Sequence, residues 1–213
     1  MLTLITGKVG SGKTYYLAKV AFESLLKGID VYSNVRFNIK PEYNFKGKYT
    51  YWQDFSELIA VRHGLIIMDE AQIYLNARKW LTLPEDFQHK IAQHRHHQLN
   101  LLGATQNFFR VDISMRENVD EYLEGHKIGS SEGKNGELPK KIWGVFYTVR
   151  FDPLDAKAKR REYLSLNMFF MRRKICDFYD THGSVGRSLD TSEYVNIKAR
   201  VCSKCGHKKI MWK

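Results

Sequence analysis

Cysteine is scarce in this sequence, and a long apolar run and a secretion-signal pattern are both missing. Cysteine occurs three times in 213 residues, at Cys176, Cys202 and Cys205, which is too few for the disulfide framework of a small secreted domain. No segment approaches the roughly 18 apolar residues that a membrane-spanning helix needs. The residues after Met1 lack the basic stretch and apolar core of a signal peptide. We therefore expect a protein of the reducing cytoplasm without a membrane segment of its own.

Acidic residues are outnumbered by basic ones, and the imbalance is uneven along the chain. The net charge is +11. Residues 1–120 hold 15 basic and 12 acidic side chains, a net of +3, and residues 121–213 hold 19 and 11, a net of +8. A basic half favours an anionic partner, and nucleic acid is favoured over a membrane because no amphipathic anchor is visible. A solvated basic surface is the alternative that charge alone leaves open.

Buried strands and amphipathic helices alternate through the first half of the chain. Continuously apolar runs predict strands that are covered on both faces, as in a parallel sheet, and apolar residues at helical spacing predict the helices between them. Strands are predicted at Leu2–Thr6, 30–35, 65–68 and Leu99–Thr105, and helices at 13–27, 54–62 and 84–97. Residues 36–50 show no clear period and are interpreted as a loop or an edge hairpin. The alternation predicts an α/β fold with three layers.

A glycine-rich segment between the first strand and the first helix matches the phosphate-binding pattern G-x-x-x-x-G-K-[ST] at every specified position. Its glycines let the backbone curl so that successive N–H groups point at phosphate oxygens. The lysine adds positive charge, the threonine hydroxyl can bind Mg²⁺, and the helix that follows points its positive dipole end at the phosphates. The residues that we predict to bind ATP are Gly7, Lys8, Val9, Gly10, Ser11, Gly12, Lys13 and Thr14.

Two carboxylates follow the apolar strand at 65–68. Asp69 lies at the carboxyl end of that strand, where open α/β sheets bind their ligands, and we predict that it holds Mg²⁺ together with Thr14. Glu70 is placed to orient and deprotonate a water molecule for attack on the γ-phosphate. Gln106 follows the next buried strand, and we predict that it contacts the γ-phosphate or the attacking water. A solvated strand end and a capping polar residue are the alternatives, and the phosphate loop in the same chain favours ATP hydrolysis.

Together these features predict a RecA-like P-loop NTPase fold, a three-layer α/β sandwich with a mainly parallel sheet, over residues 1–126. Beyond that point the pattern changes. Strands at 142–151 and 163–171, which can form a hairpin, and a short helix at 172–179 predict a small β-rich, basic extension over residues 127–213. We expect this extension to complete or decorate the core.

Basic runs interspersed with aromatic residues mark the last third of the chain. Such surfaces suit the phosphate backbone of DNA, bound without reading its sequence, although strand-placed aromatic residues more often belong to a core. The runs are Lys157, Lys159, Arg160 and Arg161, then Arg172, Arg173 and Lys174, and a tail with Lys204, Lys208, Lys209 and Lys213.

Cys202 and Cys205 have the spacing of half a zinc knuckle. A closed Zn²⁺ site needs four ligands, and the sequence has no second pair of this kind. His207, Cys176 and His182, or a neighbouring subunit, would have to complete it. A free thiol pair is therefore favoured over a zinc site.

These residues together resemble the Zot domain family, which comprises zonula occludens toxin and the assembly proteins of filamentous phages, within the wider FtsK/HerA-type class of DNA-pumping ATPases. Besides the phosphate loop and the acidic pair, the resemblance over residues 2 to about 126 rests on short motifs. They are VYSNV at 31–35, RKW at 78–80, HRH at 94–96, TQ at 105–106, VD at 111–112 and MR at 115–116. Filamentous-phage relatives carry a membrane helix after the ATPase domain, and this chain shows none. The resemblance therefore implies a genome-packaging ATPase of an icosahedral virus or a DNA-handling protein of a mobile element.

The resemblance also implies a homo-oligomeric ring, in which an arginine of one subunit neutralises charge on the phosphate bound by its neighbour. Arg95 and Arg116 are the candidates, with Arg95 slightly preferred because its His-Arg-His-His context is unusual. A surface arginine that binds a carboxylate is the alternative for either one. The implied partners are DNA and capsid or membrane proteins of a virus, and the implied location is the host cytoplasm or the virion. A phage assembly or secretion ATPase acting with a membrane partner, a small-molecule P-loop kinase and a slowly hydrolysing switch are the competing hypotheses.

Overall fold

The structure, a computed structural model, describes residues 1–75, 85–94, 98–128, 145–157 and 162–179, together with the backbone of short strands at 200–201 and 208–209. Its strands are β1 Leu2–Thr6, β2 Val31–Ser33, β3 Tyr49–Tyr51, β4 Gly64–Met68, β5 Leu99–Thr105, β6 Glu121–Ile128, β7 Val145–Phe151, β8 Tyr163–Phe170, β9 Arg200–Val201 and β10 Lys208–Lys209. Its α-helices are α1 Lys13–Leu26, α2 Phe55–Ile59, α3 Ala71–Tyr74, α4 Glu85–Ala92, α5 Ile113–Glu117 and α6 Arg173–Phe178. Among the described residues, no helix is both long and apolar enough to cross a membrane.

Eight of the described strands form one sheet in the order β3-β2-β4-β5-β1-β6-β7-β8. The first six strands of this order are parallel to one another, and β7 is antiparallel to both of its neighbours, β6 and β8. The register brings Thr6 beside Thr105 on one side and beside Glu124 on the other. The carboxyl ends of β1, β5 and β6 therefore meet at one edge of the sheet, where open α/β sheets bind ligands.

Both faces of the central strands are covered, as their continuous apolar runs predict. Every residue of β1 and β4 is buried. Successive residues belong to two separate apolar clusters: Leu4 packs on the face that carries α4 and α5, and Ile5 packs on the face that carries α1. This alternation is the period-two geometry of a strand. It confirms the three-layer α/β fold with a mainly parallel sheet.

Two strands of the sheet differ from the sequence predictions. Residues 36–50, interpreted as a loop or an edge hairpin, instead contain a short 3₁₀ turn and end in β3, which is a parallel edge strand beside β2. No element was predicted at β6, whose sequence EYLEGHKI has no apolar run. It forms because β1 on one side and β7 on the other supply its hydrogen-bond partners, and these lie far away along the chain.

Residues 145–151 and 163–170 continue the same sheet. The predicted hairpin at 142–151 and 163–171 is confirmed as the antiparallel pair β7 and β8, and the predicted helix at 172–179 is α6. Phe146 of β7 and Phe169 of β8 pack into the cluster under α1, with both rings within 6 Å of the ring of Tyr15. The expected division at residue 126 falls inside β6, and the division itself stays a prediction.

Candidate active site

The phosphate loop joins β1 to α1 at the ligand edge of the sheet. Gly7 has φ 150° and Gly12 has φ 87°, in the region that favours glycine. A methyl group on Gly7 would lie 2.6 Å from the carbonyl oxygen of Gly125 in β6, and one on Gly12 would meet the ring of Phe146. The glycines are therefore needed for the curl of the loop and also for its contact with β6 and β7.

Lys13 is the first residue of α1, and its side chain folds back over the loop. Its Nζ donates hydrogen bonds to the carbonyl oxygens of Gly7 at 2.9 Å and Lys8 at 3.1 Å. Burial lowers the pKa of Lys13, and the nearby carboxylates of Glu70 and Asp69 oppose that shift. The ammonium group is thus held at the loop by the protein itself, where it can bind a phosphate oxygen.

Thr14 and Asp69 bring two oxygen ligands together. Thr14 Oγ1 donates a 2.7 Å hydrogen bond to Asp69 Oδ2, and Asp69 is only 4% exposed at the end of β4. Burial raises the pKa of Asp69, although the hydrogen bonds from Thr14 and from the Glu70 N–H oppose the rise. A hydroxyl beside a carboxylate is the oxygen donor set that Mg²⁺ prefers, so the two residues fit the predicted metal.

Asn34 holds the backbone of Asp69 from both sides, a role that sequence reasoning did not assign. Its Oδ1 accepts a 2.7 Å bond from the Asp69 N–H, and its Nδ2 donates a 2.9 Å bond to the Asp69 carbonyl oxygen. Asn34 is 2% exposed and directly follows β2, the neighbour of β4. The signal that identified Asp69, a polar residue at the end of a buried parallel strand, could have identified Asn34 as well.

Glu70 adopts a backbone conformation that is uncommon outside glycine. Its φ and ψ are 48° and 47°, in the left-handed region where residues other than glycine are strained. Its N–H donates a 2.9 Å bond to Asp69 Oδ1, and its Oε2 accepts a hydrogen bond from the Gln72 side-chain amide. These contacts fix the backbone and the side chain of Glu70, whose charge acts on both Lys13 and Asp69.

Gln106 lies just past β5, exposed, on the wall of a cavity of about 740 Å³ that the phosphate loop also lines. The cavity is lined further by residues from the ends of β6 and β7. Gln106 and the loop therefore face the same space, as its predicted contact with phosphate or water requires. The contact itself stays a prediction.

Of the remaining predicted site residues, the structure describes Arg116, which lies over the rings of two phenylalanines. The guanidinium carbon of Arg116 lies 5.9 Å from the ring centre of Phe108 and 5.3 Å from that of Phe109, in the turn that follows Gln106. Arg95 lies outside the described residues, so its role stays a prediction. Cys202 and Cys205 also lie outside them, and among the described residues no group of three or more His, Cys, Asp or Glu could hold a metal ion.

Comparison with known proteins gives one family and a set of similar folds. The family model for zonular occludens toxin (Zot) matches residues 1–130. No curated protein matches. The N-terminal domain of zonular occludens toxin from Neisseria meningitidis has a TM-score of 0.53 and 19% identity, over 84% of this chain and 98% of that chain. The genome packaging NTPase B204 from Sulfolobus turreted icosahedral virus 2, solved with ATP-γS, has a TM-score of 0.47 and 15% identity, over 76% and 95%. The likeness in structure shows a mixed α/β fold with a central, mainly parallel sheet, similar to that of the P-loop NTPases.

Proposed function

This chain belongs to the zonular occludens toxin (Zot) family, whose model matches residues 1–130 of 213, and we propose that it hydrolyses ATP to move DNA. The proposal of ATP hydrolysis rests on the 2.7 Å hydrogen bond between Thr14 Oγ1 and Asp69 Oδ2, with Glu70 next to Asp69 in the chain. These three side chains come from two distant segments, and the fold assembles them at the phosphate loop.

Each residue of the site has a role in hydrolysis. The loop N–H groups and Lys13 bind the phosphates. Thr14 and Asp69 would hold Mg²⁺, which neutralises charge on the phosphate oxygens when bound. Glu70 accepts the proton of the attacking water, and Gln106 orients that water or contacts the γ-phosphate. Asn34 keeps Asp69 and Glu70 in place through the Asp69 backbone.

DNA is the proposed cargo because the chain carries a net charge of +11 and presents an exposed basic cluster. Arg172, Arg173 and Lys174 lie at the start of α6 and are all exposed. The N–H of Arg172 donates a 2.8 Å bond to the Tyr15 hydroxyl, which links this cluster to the helix after the phosphate loop. A DNA contact at α6 could in this way influence the nucleotide site.

The finer form of the proposal is a viral genome-packaging ATPase that acts as a homo-oligomeric ring, with an arginine acting between subunits. This form follows from the sequence resemblance. A phage assembly ATPase acting with a membrane partner is the alternative within the same chemistry.

The experiment that tests the proposal is the steady-state ATPase rate of the purified chain with and without duplex and single-stranded DNA. We expect Mg²⁺-dependent hydrolysis that DNA stimulates. Phosphoryl transfer to an added nucleoside acceptor would identify a kinase instead, and tight nucleotide binding with negligible turnover would identify a switch.

A further inference from the structure

The cavity beside the phosphate loop continues past the loop toward β6 and β7. Its volume of about 740 Å³ lies within the range of roughly 300–1,000 Å³ that small-molecule sites occupy. Thr6 and Gly7 line one part of it, and Glu124, His126 and Tyr147 line another. The space is therefore continuous from the loop to the ends of two strands that no sequence motif singled out.

The sheet order decides which end of a bound nucleotide would face this space. The metal-binding pair is completed by Asp69 of the β4 end, and β4 lies on the opposite side of β1 from β6 and β7. Terminal phosphates bound by the loop and Lys13 next to that pair would leave the sugar and the base to extend toward β6 and β7.

That side of the cavity carries one carboxylate, Glu124, with Lys127 near it in the lining. Glu124 is held in the cavity wall, since its Oε1 accepts a 2.8 Å bond from the Tyr122 hydroxyl, which is itself 3.2 Å from Thr6 Oγ1. A carboxylate repels phosphate oxygens, but it accepts hydrogen bonds from hydroxyl groups. This end of the cavity therefore suits a ribose.

A stacked pair of rings lies next to that carboxylate. His126 of β6 is directly opposite Tyr147 of β7, and their rings stack with centres 4.8 Å apart and planes 15° apart. Both side chains line the cavity and are only partly buried. A planar base can add to such a pair, because stacking needs only a flat apolar face.

We propose that His126, Tyr147 and Glu124 form the nucleoside pocket of this protein, with the base stacked on the ring pair and a ribose hydroxyl bound by Glu124. The inference rests on the proposed nucleotide-binding function and adds the residues that recognise the base and the sugar. Stacking predicts tighter binding of purine than of pyrimidine nucleotides, because the larger ring system covers more of the pair.

The test compares binding of ATP, CTP and inorganic tripolyphosphate by titration calorimetry. Tyr147→Ala should weaken ATP binding roughly tenfold, which corresponds to the loss of one base–aromatic stack, and should leave tripolyphosphate binding unchanged. Tyr147→Phe should restore ATP binding because it keeps the ring. Glu124→Gln should weaken the binding of ATP more than the binding of 2′,3′-dideoxy-ATP, which lacks the ribose hydroxyls. Tyr163→Ala is the matched control, since Tyr163 is an exposed tyrosine on the adjacent strand β8.

The outcomes separate this inference from the proposed function. If ATP binding requires Lys13 but is unchanged in Tyr147→Ala, the pocket is wrong and the ATPase assignment stands. An equal loss of ATP and tripolyphosphate binding in Tyr147→Ala also overturns the pocket. If the wild-type chain binds neither ATP nor tripolyphosphate, both proposals fail.

Discussion

Thr14 Oγ1 lies 2.7 Å from Asp69 Oδ2, although 55 residues separate the two along the chain. Thr14 is the second residue of the helix after β1, and Asp69 directly follows β4, which is two strands away from β1 in the sheet. The contact joins the phosphate loop to the acidic pair, and several predictions about catalysis depend on it.

Glu70→Gln should retain ATP binding and lose turnover by at least about 100-fold, because the amide keeps the shape of the side chain but cannot accept the proton. Lys13→Ala should lose nucleotide binding itself. Binding is measured by titration calorimetry and turnover by phosphate release. Near-normal hydrolysis by Glu70→Gln would remove Glu70 as the base.

Asp69 should make stability depend on pH, since burial raises its folded-state pKa above the ordinary value of 3.8. In the interval between these two values the folded state binds more protons than the unfolded state. Stability therefore falls as pH rises through that interval. As pH rises from 3.5, the unfolding free energy of the wild type should fall relative to that of Asp69→Asn, as measured by urea denaturation without Mg²⁺. A difference that does not change with pH contradicts this prediction.

Asn34→Ala should destabilise the protein by about 2 to 4 kcal/mol, because it leaves the buried N–H and C=O of Asp69 without their side-chain partner. It should also lower the ATPase rate of the folded fraction, since Asp69 and Glu70 lose their positioning contact. Asn38→Ala is the matched control at an exposed asparagine four residues away. An effect of Asn34→Ala no larger than that of the control would contradict the role of Asn34.

Mixing experiments test an arginine that acts between subunits. Neither Arg95→Ala nor Glu70→Gln subunits should hydrolyse ATP alone, but a mixture should recover part of the activity because some interfaces then contain both intact residues. Arg116→Ala is tested in the same way. No recovery in either mixture, with oligomers confirmed by light scattering, argues against a shared site.

DNA binding should depend steeply on salt and hardly at all on sequence. The logarithm of affinity should fall by about 0.9 per phosphate neutralised for each tenfold rise in salt. Alanine at Arg172, Arg173 and Lys174 together should flatten the slope and reduce DNA-stimulated hydrolysis while basal hydrolysis is kept. The triple change at Lys159, Arg160 and Arg161 tests the run that the sequence predicts.

The control for this experiment removes the same charge elsewhere. Lys27, Lys46 and Lys48 are exposed near the far end of α1 from the phosphate loop, and their replacement by alanine should leave the slope unchanged. Anisotropy across a salt series measures the slopes. Equal slopes for the α6 triple variant and this lysine control would exclude α6 from the DNA contact. Salt-independent or absent binding by the wild type would contradict DNA translocation.

The sequence by itself determined the parts of this protein that are encoded in contiguous residues. The phosphate loop is one such part, because its backbone curl depends on glycines at Gly7 and Gly12 within a single turn. The buried strands β1 and β4 are another, since a strand covered on both faces must be apolar along its whole length. Asp69 and Glu70 could be placed at the ligand edge because they follow such a strand directly.

Only the tertiary structure decided which distant residues meet at that edge. β6 forms through pairing with β1 and β7. Its polar residues at one end line a cavity, so its sequence lacks the apolar run from which a buried strand is predicted. The Asn34–Asp69 contact and the His126–Tyr147 stack each join two strands, and their geometry depends on strand order and register. Order and register follow from long-range packing of the whole sheet, and no local pattern in the sequence contains that information.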